Sequence, residues 1–347
     1  MSESRKRILL IYTGGTIGMV QTEPSGPYQP FDFELIQEEF PEIHRLSCDI
    51  EVESFDPLLD SSNIGPEIWL RIARYIYKVY KKYDGFVILH GTDTMAYTGA
   101  ALSFILEGLA KPVILTGAQL PFNKIRTDAK ENLITAIQIA AYPGTPIREV
   151  GVYFEYKLFR ANRTKKVHAS VFAAFDSPNF PYLVHAGVHL RFRHSTPSDA
   201  YENAFFQVQE NLETGIGQAT FYPGLTADTL VPVLLNPKNK GIILQSYGTG
   251  NLPDSPEIIE LIQESVKQGK IILNITQCNG GFVEMGRYAS SKKLAESGVL
   301  GGADLTFEAG LTKMMYLMGK YKDPEKVAFY LVRNIRGEMT ADRAITN

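Results

Sequence analysis

The early part of the chain repeats one theme: a short apolar run, a polar turn, then a stretch with helical spacing. The runs are Ile8–Tyr12, Phe86–Leu89, Val113–Leu115 and Val150–Phe154. Apolar runs this short, bounded by Gly, Thr, Ser and Asp, predict buried strands. Between them Trp69, Ile72, Ala73, Ile76 and Val79 recur at helical spacing, as do Leu102, Phe104 to Leu106 and Leu109. A third helix is expected from Asp128 to Ala141, with Asp128 three residues before Glu131 in a capping-box pattern. Strands alternating with helices predict an α/β fold, with a parallel sheet covered on both faces.

The pattern weakens from about Ser195 to Phe221, where Thr196-Pro197-Ser198-Asp199 and Thr214-Gly215-Ile216-Gly217 read as connection. It then resumes with a strand at Ile242–Leu244. A helix follows, opened by Ser255-Pro256 and ended by Gly269, then a strand at Ile271–Ile275. Two more helices follow, Thr306–Gly319 and Pro324–Asn334, the second capped by Asp323. The expected layout is an N-terminal catalytic α/β domain over 1–195, a connecting segment over 196–221 and a smaller α/β domain over 222–347. A chain of 347 residues is long enough for two cores.

Composition narrows the function classes. A net charge of −3 gives no general attraction for nucleic acid or acidic membranes. No apolar run approaches the roughly 20 residues that span a bilayer. Arg5-Lys6-Arg7 precedes an apolar stretch too short for a signal peptide, so that stretch reads as a first strand and the protein is expected in the cytoplasm. Two cysteines, Cys48 and Cys278, fit a reducing compartment and exclude a cysteine-based zinc framework. His185 and His189 have a metal-ligand spacing, but the alternation of Val188, Leu190 and Phe192 with His189, Arg191 and Arg193 means strand, and no third ligand is near. Neither metal nor cofactor is expected.

In open parallel sheets ligands bind beyond the carboxyl ends of the strands, so those turns carry the candidate chemistry. They are Thr13-Gly14-Gly15-Thr16-Ile17-Gly18, Asp60-Ser61-Ser62-Asn63 and His90-Gly91-Thr92-Asp93-Thr94. The first is not a phosphate loop, because Met19 stands after Gly18 and no lysine is placed to reach a phosphate. Its glycine spacing also misses the dinucleotide fingerprint, and no Gly-x-Ser-x-Gly elbow exists in the chain. Thr16 remains as a candidate nucleophile that needs activation. Tyr28 lies in a Pro- and Gly-rich stretch, Met19–Pro30, that reads as a lid or as an ordinary surface loop. A lysine of Asn162-Arg163-Thr164-Lys165-Lys166 is a candidate proton shuttle beside Thr92 and Asp93. In an extended chain Lys165 and Lys166 point to opposite faces, so only one can enter a site. The cluster Lys157, Arg160, Arg163, Lys165 and Lys166 otherwise reads as a solvated face.

These residues together closely resemble the bacterial type I (cytoplasmic) L-asparaginases, over essentially the full length. The resemblance rests on Tyr12 to Gly18 (YTGGTIG), Asp60-Ser61-Ser62 and Gly85 to Tyr97 (GFVILHGTDTMAY). It continues through Asn162-Arg163-Thr164, Ser246-Tyr247-Gly248, Thr276-Gln277-Cys278 and Gly301-Gly302-Ala303-Asp304. It implies that Thr16 attacks the side-chain amide of asparagine, giving a β-aspartyl ester, ammonia and then aspartate. Thr92, Asp93 and Lys166 would form a second hydroxyl–carboxylate–lysine set, and Tyr28 the lid tyrosine. Asp93 would meet the α-ammonium and Ser61, beside Asp60, the α-carboxylate. The resemblance also implies the two-domain asparaginase fold and a homodimer or homotetramer with its site near the subunit interface, where Asn251 would reach a neighbouring subunit's site.

Some type I enzymes bind a second asparagine and respond cooperatively. Where those carry a threonine before the catalytic lysine and an arginine before Ser-Tyr-Gly, this chain has Lys165 and Gln245. The exchange predicts loss of that control. The alternative reading is the ammonia-supplying subunit of a tRNA-dependent amidotransferase. That subunit carries an extra domain before its TGGT motif, and here the motif starts at Thr13.

Overall fold

The computed structural model describes residues 5–21, 28–30, 40–193, 205–287 and 289–340. They fall into two compact units, Met1–Val208 and Gln209–Asn347.

The principal strands of the first unit are β1 (Lys6–Gly14), β2 (Cys48–Leu59), β3 (Gly85–Leu89), β4 (Val113–Thr116) and β5 (Val150–Phe154), followed by β6 (Lys157–Arg160), β7 (Val184–Ala186) and β8 (Leu190–Phe192). They form one eight-stranded sheet in the order β8-β7-β6-β5-β4-β3-β1-β2. All pairings from β2 to β5 are parallel, and those from β5 to β8 antiparallel. The four apolar runs are thus the inner strands, and Ile8 to Tyr12 are buried throughout. The parallel sheet expected from the sequence is extended by an antiparallel edge. There His185 lies in β7 opposite Arg191, and His189 sits in the turn of a hairpin rather than on the same strand.

The helices α1 (Pro66–Val79), α2 (Met95–Ile105) and α3 (Ala129–Ala141) accompany the parallel strands. Helix α1 buries Trp69, Ile72, Ala73 and Ile76, one stripe at i, i+3, i+4 and i+7. The capping box at α3 does not form. Both carboxylate oxygens of Asp128 accept backbone N–H bonds from Gln119 (2.9 and 3.1 Å), and one also accepts from Leu120 (3.0 Å). Glu131 accepts from Tyr153 and Thr135. Thr127 instead takes the first helical N–H, that of Ala129. Nor is the basic cluster a solvated face throughout. Arg160 and Arg163 are buried, with Arg160 paired to Glu149 and stacked over Phe180.

The second unit carries a four-stranded parallel sheet, β9 (Ile216–Thr220), β10 (Gly241–Ser246), β11 (Ile271–Thr276) and β12 (Leu300–Gly301), in sequential order. Residues 216–220, read above as connection, are therefore an edge strand. Its alternation buries only Gly217 and Ala219, too small to signal a strand. Residues 196–204 of the expected connection lie outside the described residues. Helices α4 (Ala227–Leu234), α5 (Pro256–Lys267), α6 (Ala289–Glu296), α7 (Phe307–Lys320) and α8 (Pro324–Leu331) complete the unit. Ser255, Thr306 and Asp323 cap α5, α7 and α8 with their side-chain oxygens.

A fully buried ion pair ties the C-terminal turn to α7. Lys313 Nζ lies 2.6 Å from Glu338 Oε1, and Lys313 also donates to the Arg333 carbonyl. The same carboxylate accepts the Ile335 and Arg336 N–H groups. Removing one partner leaves the other charged and buried, at a cost of about 3–5 kcal/mol. Lys313→Met is therefore expected to lower the unfolding free energy of this unit by that amount in urea titrations. Lys313→Met combined with Glu338→Leu should cost less than Lys313→Met alone.

Candidate active site

In the order β2-β1-β3-β4-β5 the chain leaves β1 to one side for β2 and returns on the other for β3. The crevice of such a sheet opens at that reversal, beyond the carboxyl ends of β1 and β3. Two turns meet there. The Thr13 hydroxyl donates to the Leu89 carbonyl (2.8 Å), fixing the two strand ends together. Just beyond, Gly15 has φ +90°, and a Cβ there would lie 2.4 Å from the Gly91 nitrogen. Only glycine permits both the dihedral and this backbone approach. The Tyr12 hydroxyl donates to the Gly18 carbonyl (2.7 Å) and closes the turn. Burial pushes the Tyr12 phenol up, so it stays a neutral donor. Thr16, at the start of this 3-10 turn, is half-buried.

Ser61 is buried at the start of its own 3-10 turn and packs against Gly91, where a Cβ would come within 2.5 Å of the serine oxygen. Asp60 caps that turn, accepting from the Ser62 N–H and hydroxyl, both at 2.9 Å. The Thr94 hydroxyl donates to the Ser61 carbonyl (2.6 Å). The structure thus brings the turns of Thr16, Ser61 and Thr92 to one place.

Lys166 completes the set. Its strand, Lys165–Lys166, pairs with Phe175–Asp176, and its Nζ donates to Thr92 Oγ1 (2.9 Å) and Asp93 Oδ1 (2.7 Å). Of the two lysines left open by the alternation, Lys166 is the one that reaches these groups. The Thr92 hydroxyl, nearly buried, donates in turn to Gln119 Oε1 at 3.2 Å. The backbone of Tyr28 pairs in a short hairpin, Met19–Gln21 with Tyr28–Pro30, while its side chain and residues 22–27 of the expected lid lie outside the described residues. Asn251 belongs to the second unit, where its backbone bridges to Tyr247. Among the described residues, no group of three His, Cys, Asp or Glu side chains is placed to hold a metal. None of the described helices is long and apolar enough to cross a membrane.

Residues 7–198 match the family described as asparaginase, N-terminal, and residues 216–331 match the glutaminase/asparaginase C-terminal domain. The chain belongs to the asparaginase family. It is 45% identical to L-asparaginase 1 of Escherichia coli over 341 residues, covering 97% of this chain and 99% of that one. Its fold matches the crystal structure of L-asparaginase I from Vibrio cholerae with a TM-score of 0.89. That match has 41% identity and covers 97% of this chain and 100% of the other. A glutamyl-tRNA(Gln) amidotransferase component of Saccharolobus islandicus is also similar, at 31% identity, covering 97% of this chain and 76% of that protein. The match to L-asparaginase 1 and I places this asparaginase with the bacterial type I enzymes.

Two residues of this candidate site, Gln119 and His90, received no role from the sequence. Gln119 follows β4, so inspecting every strand end, and not only those of β1 and β3, would have found it. His90 gives no local signal of its role. Its Nδ1 lies 2.7 Å from the Gly91 carbonyl and its Nε2 2.9 Å from the Thr98 hydroxyl, which receives the Trp69 indole N–H at 3.0 Å. A carbonyl only accepts, so Nδ1 carries the proton and Nε2 accepts from Thr98. Burial lowers the His90 pKa to about 4, so the ring stays neutral in the fold.

Stability follows from that shift. The unfolded chain protonates this histidine near its ordinary value of 6.5, whereas the fold refuses the proton until about 4. The contribution of the neutral ring is present above pH 6.5 and is lost as pH falls toward 4. Between pH 7 and 5 the loss is about 2 kcal/mol. In denaturant titrations, the stability gap between wild type and His90→Asn is expected to shrink by that amount over this range. A gap that stays constant would contradict a neutral His90.

Proposed function

We propose that this chain is an L-asparagine amidohydrolase that works through Thr16 as nucleophile. The observation that carries the reading is the Gly15–Gly91 contact, which sets the Thr16 turn against the turn bearing Thr92 and Asp93, with Lys166 bonded to both. Family membership supports the substrate. Thr16 Oγ attacks the side-chain carboxamide carbon, its proton passes to the departing nitrogen, and ammonia leaves a β-aspartyl ester. Water then adds to the ester, giving aspartate and restoring the Thr16 hydroxyl. Tyr28, on the hairpin that starts beside the Thr16 turn, is assigned to the Thr16 hydroxyl on the strength of the resemblance. Asp93, exposed enough to meet ligand, suits the substrate's α-ammonium, and Ser61 its α-carboxylate. Asp60 would act on the substrate only through the turn it caps.

An oligomer, dimer or tetramer, with Asn251 contributing to a neighbouring subunit's site, is part of the same proposal and rests on the resemblance. The cytoplasm is the proposed compartment, supported by two free cysteines, Cys48 and Cys278. The hydrolase is preferred to the amidotransferase component because the match to L-asparaginase 1 spans nearly all of both chains.

Thr16→Val preserves shape and removes the nucleophile. Ammonia release from asparagine is expected to fall at least ~10³-fold, with an unchanged thermal midpoint. Near-wild-type turnover would end the assignment. A second expectation concerns control. The carbonyl oxygen of the Gln245 side chain accepts from Gln218 (2.7 Å) and Thr220 (2.8 Å), a neutral arrangement with no guanidinium for a second substrate's carboxylate. Initial rates against asparagine concentration should therefore be hyperbolic, and a sigmoidal curve would refute loss of cooperativity.

A further inference from the structure

Thr92 has one hydroxyl proton and two lone pairs, and its neighbours decide where each goes. Gln119 holds the answer because its own orientation is fixed. Its Nε2 lies 3.1 Å from the Ala169 carbonyl and 3.0 Å from that of Val171. Carbonyl oxygens accept only, so the amide NH2 must face them and Oε1 must face Thr92. The turn is anchored as well. Asp128 receives the Gln119 and Leu120 N–H groups, and Asn132 donates to the Gly117 carbonyl (3.0 Å) and to Asp128 (3.2 Å).

The consequence for Thr92 is a fixed polarity. Lys166, ion-paired with Asp93, donates to one lone pair, and the hydroxyl proton goes to Gln119. The second lone pair is left, and it can only accept. We propose that Gln119 is a positioning residue that fixes Thr92 as a hydrogen-bond acceptor for the substrate's carboxamide NH2, an inference that rests on the hydrolase reading above. The amide substrate offers N–H donors there. The acid product offers only carboxylate oxygens, which find no donor on Thr92. One glutamine thus favours the amide over the acid and helps the product leave.

Gln119→Met keeps the side-chain length and removes the acceptor, so the Thr92 hydroxyl turns and becomes able to donate. The two ligands should then respond in opposite directions. The KM for asparagine is expected to rise about 3- to 10-fold, and the inhibition constant for aspartate to fall by a similar factor. An unchanged thermal midpoint would show that the variant folds, and Gln119 is partly exposed, which limits the packing cost. A merely structural role would weaken both ligands together. That result, or no change in either constant for Gln119→Met, overturns the proposal. Wild-type protein that released no ammonia from asparagine would sink the hydrolase reading and this inference with it.

Discussion

The site depends on one contact in which no side chain takes part. The turn after β1 and the turn after β3 meet at Gly15 and Gly91, backbone against backbone. Hydrogen bonds on either side hold this approach: Thr13 to Leu89 across the strand ends, and Tyr12 to Gly18 around the turn. Because these groups are buried, each bond is made in a low-dielectric setting where leaving it unmade is costly. The strands are neighbours in a parallel sheet, so their ends are already level. The glycines then remove the last steric barrier between a hydroxyl on one turn and a hydroxyl–carboxylate pair on the other.

Around that contact the remaining groups are held by further hydrogen bonds, some from the turns themselves and some from the helices behind them. The Gly91 carbonyl is gripped by a neutral, buried histidine whose tautomer is set through Thr98 and Trp69. The Ser61 turn is tied to Thr94, and the turn after β4 to Asp128 at the start of α3. Each of the turns after β1, β2, β3 and β4 therefore carries at least one restraint, which is how a set of loops acquires the rigidity of the scaffold beneath it.

What the sequence revealed follows from how local each signal is. The inner strands were legible because burial on both faces makes them continuous apolar runs. The edge strand β2 was missed. Its signal was there, since Cys48, Ile50 and Val52 alternate with Asp49, Glu51 and Glu53 as in a strand with one face toward the core, but it is not the continuous apolar run that marks the inner strands. Asp128 illustrates the same limit. Its spacing to Glu131 is that of a helix cap, yet the folded chain offers it the two N–H groups of a distant turn. Thr16, Thr92 and Asp93 stood out as candidates because their turns follow apolar strands and because TGGTIG with HGTDTMAY at that separation is specific, where a single glycine turn is not. Lys166 was narrowed to one of two by alternation alone. Gln119 and His90 matter through partners remote in sequence, so their roles became visible only with coordinates.

The glycine contact also bears on how such a protein can change. A position where the smallest possible substituent collides with backbone has no neighbouring solutions to explore. Gly14 is another, since a Cβ there would lie 2.1 Å from the Leu59 carbonyl oxygen. Variation in substrate preference must then arise from side chains that reach the crevice from outside it, above all those of the turn after β4. A mutant library aimed at new amides would waste its diversity on the residues nearest the chemistry. It would find its adaptive paths one layer farther out.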